Sequence, residues 1–294
     1  MLGVSLWLGG TLGVLLVGHL GGRELLRRQA AAARRLIGDP FGEDAPAADK
    51  IYKKKFPGRI ELLVVGDSIA AGLGADRPKD TFGARLAKEV AKKTETAVRL
   101  RTVAVVGAES SMLDEQLDVL ESGYRPDVAV VIVGGNDVTH RVPVSVSVRH
   151  LGEAVDRLHG LGGRVVVGTC PDLGTIRPVP QPLRTLGRRR SRQLARAQRR
   201  VVLEKGARAV SLSRVVGPFF ISNPDEMFSL DRFHPSSAGY RRTAKAIMPS
   251  VLAALGVTQE VPLGHFEPVL AAAAAVEEAG EELADAVGQA VDKS

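Results

Sequence analysis

Ser68 in the run Gly66-Asp67-Ser68 and the pair Asp231 and His234 in Asp231-Arg232-Phe233-His234-Pro235 are the residue types that acyl transfer requires. A serine hydroxyl is a weak nucleophile and needs an adjacent base. Imidazole is the usual base because it titrates near neutrality. It needs an acceptor on its other nitrogen to fix its tautomer and stabilise the imidazolium. Asp231 stands three residues before His234, and in a turn-like segment that spacing lets the carboxylate reach Nδ1 and leaves Nε2 for Ser68. Pro235 biases His234 towards an extended backbone, and Ser236 or Ser237 can cap a following helix, so the base is mounted on a fixed loop. Acyl transfer also needs donors aimed at the oxyanion. The backbone N–H groups of Ser68 and Gly107 and the side-chain amide of Asn136 are available for that role.

These segments must be positioned by regular elements. Apolar runs predict strands at Ile60–Val65, Arg99–Val106, Val128–Val133, Arg164–Gly168 and Ala207–Leu212. Between them lie helical patterns at Phe82–Lys93, Met112–Glu121, Val146–His159 and Arg188–Lys205. A last helix runs from Ser236 to Leu255, with Pro249 as a kink. Alternating strands and helices argue for a parallel sheet covered on both faces, and continuous Val/Ile runs fit doubly buried strands. In open α/β sheets ligands bind beyond the carboxyl ends of the strands. Ser68 follows the first predicted strand, Gly107 the second, Gly134-Gly135-Asn136-Asp137 the third, and Asp231 to His234 lie in a loop beyond the last.

Together Gly66-Asp67-Ser68, Gly107, Gly134-Gly135-Asn136-Asp137 and Asp231-Arg232-Phe233-His234 resemble the four blocks of the GDSL/SGNH hydrolase family, over roughly residues 60–255. The resemblance implies a flavodoxin-like three-layer α/β/α sandwich on a parallel five-stranded sheet. It also implies Ser68 as nucleophile, His234 as base, Asp231 as its orienting acid, and Ser68, Gly107 and Asn136 as the oxyanion hole. Members of the family hydrolyse esters, including lipids, thioesters and O-acetyl groups on sugars, so a small-molecule or lipid ester is the implied substrate. The second block departs from the pattern: where members often carry Asn two residues before the Gly, Val105 stands here. The same triad would serve an acyltransferase. A catalytically silent binding module would be favoured if Ser68, Asp231 or His234 were missing, and all three are present. An ordinary α/β-hydrolase elbow requires G-x-S-x-G, and residue 70 is Ala.

The chain has 294 residues, 45% of them hydrophobic and only 4% aromatic, which affords an aliphatic core. Its net charge of +7 is concentrated in two arginine runs, Arg23–Arg35 and Arg184–Arg200. No aromatic residues interleave with them, so a nucleic-acid stacking platform is not expected. The second run reads first as a solvated helix face, with anionic lipid or substrate as the alternative. Residues 2–20 carry no charged side chain, and segment 1–22 is expected to be a membrane anchor or signal-like segment, with export as the alternative. Arginines after it would keep the downstream domain cytoplasmic. Residues 23–59 are expected to be a basic linker, 60–256 the catalytic domain, and 257–294 a linker with an Ala/Glu-rich helix or tail. Lone Cys170 excludes an internal disulfide and reads as a small buried residue. No His/Cys/Asp/Glu cluster has metal-ligand spacing, so neither metal nor cofactor is expected. Asp67 and Asp137 read as turn-holding residues. His140, His150 and His159 read as surface residues, and His19 and His265 have no evident partner. Leu173, Ile176, Phe219, Phe220 and Phe233 are candidates for an acyl-binding wall.

Overall fold

The structure, a computed structural model, describes residues 4–268 save 39 and 43, with side chains from residue 21 onward. Its strands are β1 (Ile51–Tyr52), β2 (Ile60–Gly66), β3 (Val98–Thr102), β4 (Val128–Ile132), β5 (Arg164–Gly168), β6 (Arg208–Val210) and β7 (His265–Phe266). Its helices are α1 (Val4–Ile37), α2 (Ser68–Ala71), α3 (Phe82–Thr94), α4 (Leu113–Asp118), α5 (Gly135–His140), α6 (Val144–Gly160), α7 (Leu183–Glu204), α8 (Leu212–Val215), α9 (Gly217–Ser222), α10 (Pro224–Met227) and α11 (Ser237–Ala254).

The strands form one sheet in the order β1-β3-β2-β4-β5-β6-β7. The inner five are parallel, and they are the five predicted from the apolar runs. The two-residue edges β1 and β7 are antiparallel to β3 and β6. The sheet is therefore mixed and seven-stranded where five parallel strands were expected. Two residues carry no periodicity, so only their pairing partners define these edges.

Alternation along the strands builds two cores. Leu62, Val64, Val128, Val130 and Ile132 face α3 and α11, whose Phe82, Leu86, Tyr240, Ile247 and Val251 complete one cluster. Leu63, Val65, Ala129, Val131 and Val133 face α4, α6 and α7. Fully burying a Val, Leu, Ile or Phe side chain contributes roughly 1.5–3 kcal/mol, so these two layers hold the sheet between its helices. Glycine occurs where backbone must touch backbone. A Cβ on Gly66, at φ +135°, would stand 1.8 Å from the Ile132 carbonyl oxygen on the neighbouring strand.

The segments flanking the domain differ from expectation. The predicted linker over 23–59 is largely structured: it holds the second half of α1 and β1, and Tyr52 is buried with its hydroxyl donating to the Ala48 carbonyl. The stretch after 257 supplies β7, and His265 has a partner, its Nδ1 lying 2.7 Å from Ser250 Oγ. The acidic alanine-rich tail beyond residue 268 lies outside the described residues. The apolar segment 4–20 continues without a break into the basic half of α1. Among the described residues no helix is long and apolar enough to cross a membrane, and the anchor or signal-like segment expected over residues 1–22 falls largely on residues whose side chains lie outside the described ones.

Candidate active site

Ser68 lies where β2 ends. Asp67 caps the one-turn helix α2 by accepting from the Ile69 N–H at 3.0 Å, and Ser68 is the first helical residue. Gln116 on α4 grips the strand end from the side: its Oε1 accepts from Gly66 N at 2.9 Å and its Nε2 donates to Gly66 O at 2.8 Å. Asp231 and His234 come from the loop between α10 and α11. Arg232 takes a left-handed φ of 56°, and the resulting curl turns Phe233 N–H and His234 N–H, both at 2.9 Å, onto Asp231 Oδ1. Ser229 Oγ donates to the same oxygen at 2.7 Å. The other oxygen, Oδ2, lies 2.6 Å from His234 Nδ1, and His234 Nε2 lies 2.9 Å from Ser68 Oγ. The two loops meet at Gly74, where a Cβ would stand 2.9 Å from Pro235 O and 3.1 Å from His234 Cβ. Tyr240, fully buried on α11, donates to Leu73 O at 2.6 Å and fixes the loop after Ser68 to the helix that follows His234.

A pocket opens from Ser68 and His234 between the 3-10 turn Leu173–Thr175 and helices α8 to α10. Leu173, Ile176, Phe220 and Phe233 line it, as the sequence predicts. Phe219 does not; its ring packs under the Arg242 guanidinium, 3.5 Å from the centroid, because consecutive residues of α9 point to different sides. Val216 and Phe228, unforeseen, complete the wall, with Phe228 edge-on to Phe220.

A family model for GDSL-like lipases and acylhydrolases matches residues 64–242, more than half of the chain and the whole stretch from Ser68 to His234. The chain belongs to the GDSL-like lipase/acylhydrolase family. It is 37% identical over 261 residues to the GDSL-like esterase Rv1075c of Mycobacterium tuberculosis, covering 85% of this chain and 82% of that one. In fold it is similar to a lipase/acylhydrolase from Enterococcus faecalis, with a TM-score of 0.54 at 18% identity over 66% of this chain and 96% of that one. A catalytic mutant of Axe2, an acetylxylan esterase from Geobacillus stearothermophilus, gives 0.53 at 18% identity over 70% and 99%.

The remaining blocks of this GDSL-family chain are joined to one another. Asn136 lines the pocket beside Ser68, and its Nδ2 donates to Ala108 O at 3.0 Å, which leaves its second N–H uncommitted. Gly107, next to Ala108, is exposed with open space around its Cα and is not among the residues lining the pocket. Asp137 is not an Asx-turn residue: its buried carboxylate accepts from Ser110 N at 3.1 Å and ties the third block to the second. Gln198, fully buried on α7, donates to Val133 O at 3.0 Å and accepts from Cys170 N at 2.7 Å, which braces the ends of β4 and β5. Gln116 and Gln198 were not predicted. Their sequence signal is a lone amide on an apolar helix face, and a buried amide must find partners. Cys170 is buried as expected, and burial pushes its thiol well above the usual range. His140 is exposed as expected but pairs with Glu109 at 2.7 Å.

The carboxylates are tuned in opposite directions. Burial alone would raise Asp231, but hydrogen bonds from His234, Phe233 N–H and Ser229 hold it below the usual carboxylate range. Its contribution to stability is present above the unfolded value and is lost as pH falls through the folded one. Burial dominates at Asp67 and pushes it up to about 6 against a reference of 3.8. The native state then binds more protons than the unfolded chain, so stability falls as pH rises from about 4 to about 6, by up to roughly 3 kcal/mol. Asp67→Asn should gain on the wild type in urea unfolding as the pH is raised from 4 to 7. Parallel pH profiles for the two proteins would refute the assignment.

Proposed function

We propose that the protein is a serine ester hydrolase working through a Ser68 acyl-enzyme. The observation that carries this reading is the unbroken chain of contacts from Ser68 Oγ to His234 Nε2 at 2.9 Å and from His234 Nδ1 to Asp231 Oδ2 at 2.6 Å. His234 takes the Ser68 proton as the hydroxyl oxygen attacks the ester carbonyl. Asp231 holds the ring in the tautomer with hydrogen on Nδ1 and balances the imidazolium charge. The tetrahedral oxyanion is met by Ser68 N–H and the free Asn136 amide N–H, the two of the three expected donors that line the pocket. Collapse expels the alcohol, which takes its proton from His234. Water then attacks the acyl-enzyme with His234 again as base, which releases the acid and regenerates Ser68.

The pocket supports the acyl side of this assignment. It is apolar and narrow, with a cavity of about 80 Å³. A dry apolar cavity of roughly 150 Å³ accommodates benzene, so about half that volume suits a short, unbranched acyl chain. Hydrolysis of p-nitrophenyl esters of increasing chain length, beside Ser68→Ala, tests the proposal. A Ser68-dependent rate that peaks at short chains is expected. A folded protein with no Ser68-dependent rate on any ester would overturn it.

A further inference from the structure

The arginines of α7 are left unused by the chemistry at Ser68. That helix carries eight arginines and one carboxylate, Glu204. The second half of α1 adds Arg23, Arg27, Arg28, Arg34 and Arg35 against Glu24 alone. The two segments meet: Gln29 Oε1 accepts from Leu183 N at 3.1 Å, and its Nε2 donates to Gln181 O. Because α7 connects the parallel strands β5 and β6, its N-terminus lies at the carboxyl edge of the sheet, where the pocket opens. Arg188 and Arg192 there share buried Asp172, a pocket residue, at 3.2 and 3.0 Å. Among the described residues Arg23, Arg27, Arg184, Arg189 and Arg190 have no carboxylate within salt-bridge distance.

Exposed aliphatic side chains accompany this charge. Leu230, 86% exposed, stands next to Asp231 in the loop that carries the base, and Leu186 and Leu25 are exposed on α7 and α1. The sequence ahead of Arg23 in α1 is itself apolar. Leu230 at 86% exposure stands well beyond an incidental surface leucine, and a face for single-stranded nucleic acid would carry aromatic stacking residues. Cationic side chains bordered by leucines match the headgroup–acyl boundary of an anionic bilayer.

From this we infer that the face formed by the second half of α1, the first half of α7 and the Leu230 loop docks on anionic lipid surfaces and brings the pocket mouth to the bilayer. Docking is separate from the acyl chemistry, so it can be read in Ser68→Ala protein and stands or falls independently of the esterase assignment. The experiment is cosedimentation of the full chain with phosphatidylcholine vesicles containing or lacking phosphatidylglycerol. Wild type and Ser68→Ala are expected to bind the anionic vesicles more tightly, with a preference that weakens as salt is raised. Each basic residue near an anionic surface is worth roughly fivefold in partitioning, so Arg184→Gln/Arg189→Gln/Arg190→Gln should lose up to about a hundredfold. The triple lysine variant should retain the preference, and the glutamine variant should keep its rate on a soluble ester. Leu230→Asn should weaken binding to anionic vesicles. Equal binding to the two vesicle types would overturn the proposal. So would unchanged binding by the glutamine variant, equal loss in the lysine variant, or tighter binding to RNA than to vesicles.

Discussion

Replacing Ser68 by Ala is expected to lower kcat/KM on a p-nitrophenyl ester by about four orders of magnitude or more while leaving the fold intact. In the proposed mechanism the hydroxyl oxygen is the atom that attacks the ester carbon, and its side-chain contact among the described residues is to His234 Nε2. His234→Ala should be nearly as severe, because an unassisted serine hydroxyl is a poor nucleophile. The double variant should be scarcely worse than either single one, since nucleophile and base act as a unit. Asp231→Asn should also be severe, up to about four orders of magnitude. An asparagine oxygen still accepts from Phe233 N–H, His234 N–H and Ser229, so the loop keeps its shape, but an NH2 donor then faces Nδ1 and favours the tautomer with hydrogen on Nε2, which cannot accept the Ser68 proton. Steady-state kinetics, with near-identical circular dichroism for each variant, checks the series. Additive losses in the Ser68/His234 double variant would mean that the two do not work on one proton.

The largest structural effect is expected at Gly66. Gly66→Ala must displace either β2 or β4, because the new methyl falls 1.8 Å from Ile132 O, a backbone atom that cannot rotate away. The residue is also held on both its N–H and its carbonyl by Gln116. A φ of +135° is outside what an L side chain readily adopts. Together these should cost on the order of 4 kcal/mol or more, enough to consume much of a typical domain's stability. Gly107→Ala supplies the control: its φ is +81° but nothing lies within 4 Å of the added methyl, so a loss of about 1 kcal/mol is expected. Thermal melts of the two variants separate backbone collision from backbone strain. Equal melting temperatures would show that the β2–β4 contact can relax.

Much of this arrangement is legible in the chain alone. Strands buried on both faces demand unbroken aliphatic runs, so β2, β4 and β5 announce themselves in Leu62–Val65, Val128–Ile132 and Val165–Val167. Asp231 and His234 are three residues apart, and so local a pair is fixed by the turn between them. Once parallel strands are granted, Ser68 and Asn136 must gather at one sheet edge, because the carboxyl ends of the five parallel strands lie there, whereas His234 reaches it on the loop between α10 and α11. What the tertiary structure alone decided depends on partners distant in sequence. The edges β1 and β7 exist only because β3 and β6 offer unpaired backbone. Gln116 and Gln198 find carbonyls and amides 28 to 65 residues away, and Asp137 finds Ser110 N instead of its own turn. Phe219 and Phe220 are chemically alike and adjacent, yet only Phe220 reaches the pocket, since a rotation of about 100° per residue sends neighbours to different faces. Local propensity and periodicity depend on near neighbours, whereas buried polar groups and pocket walls are satisfied by whichever element the packing brings against them.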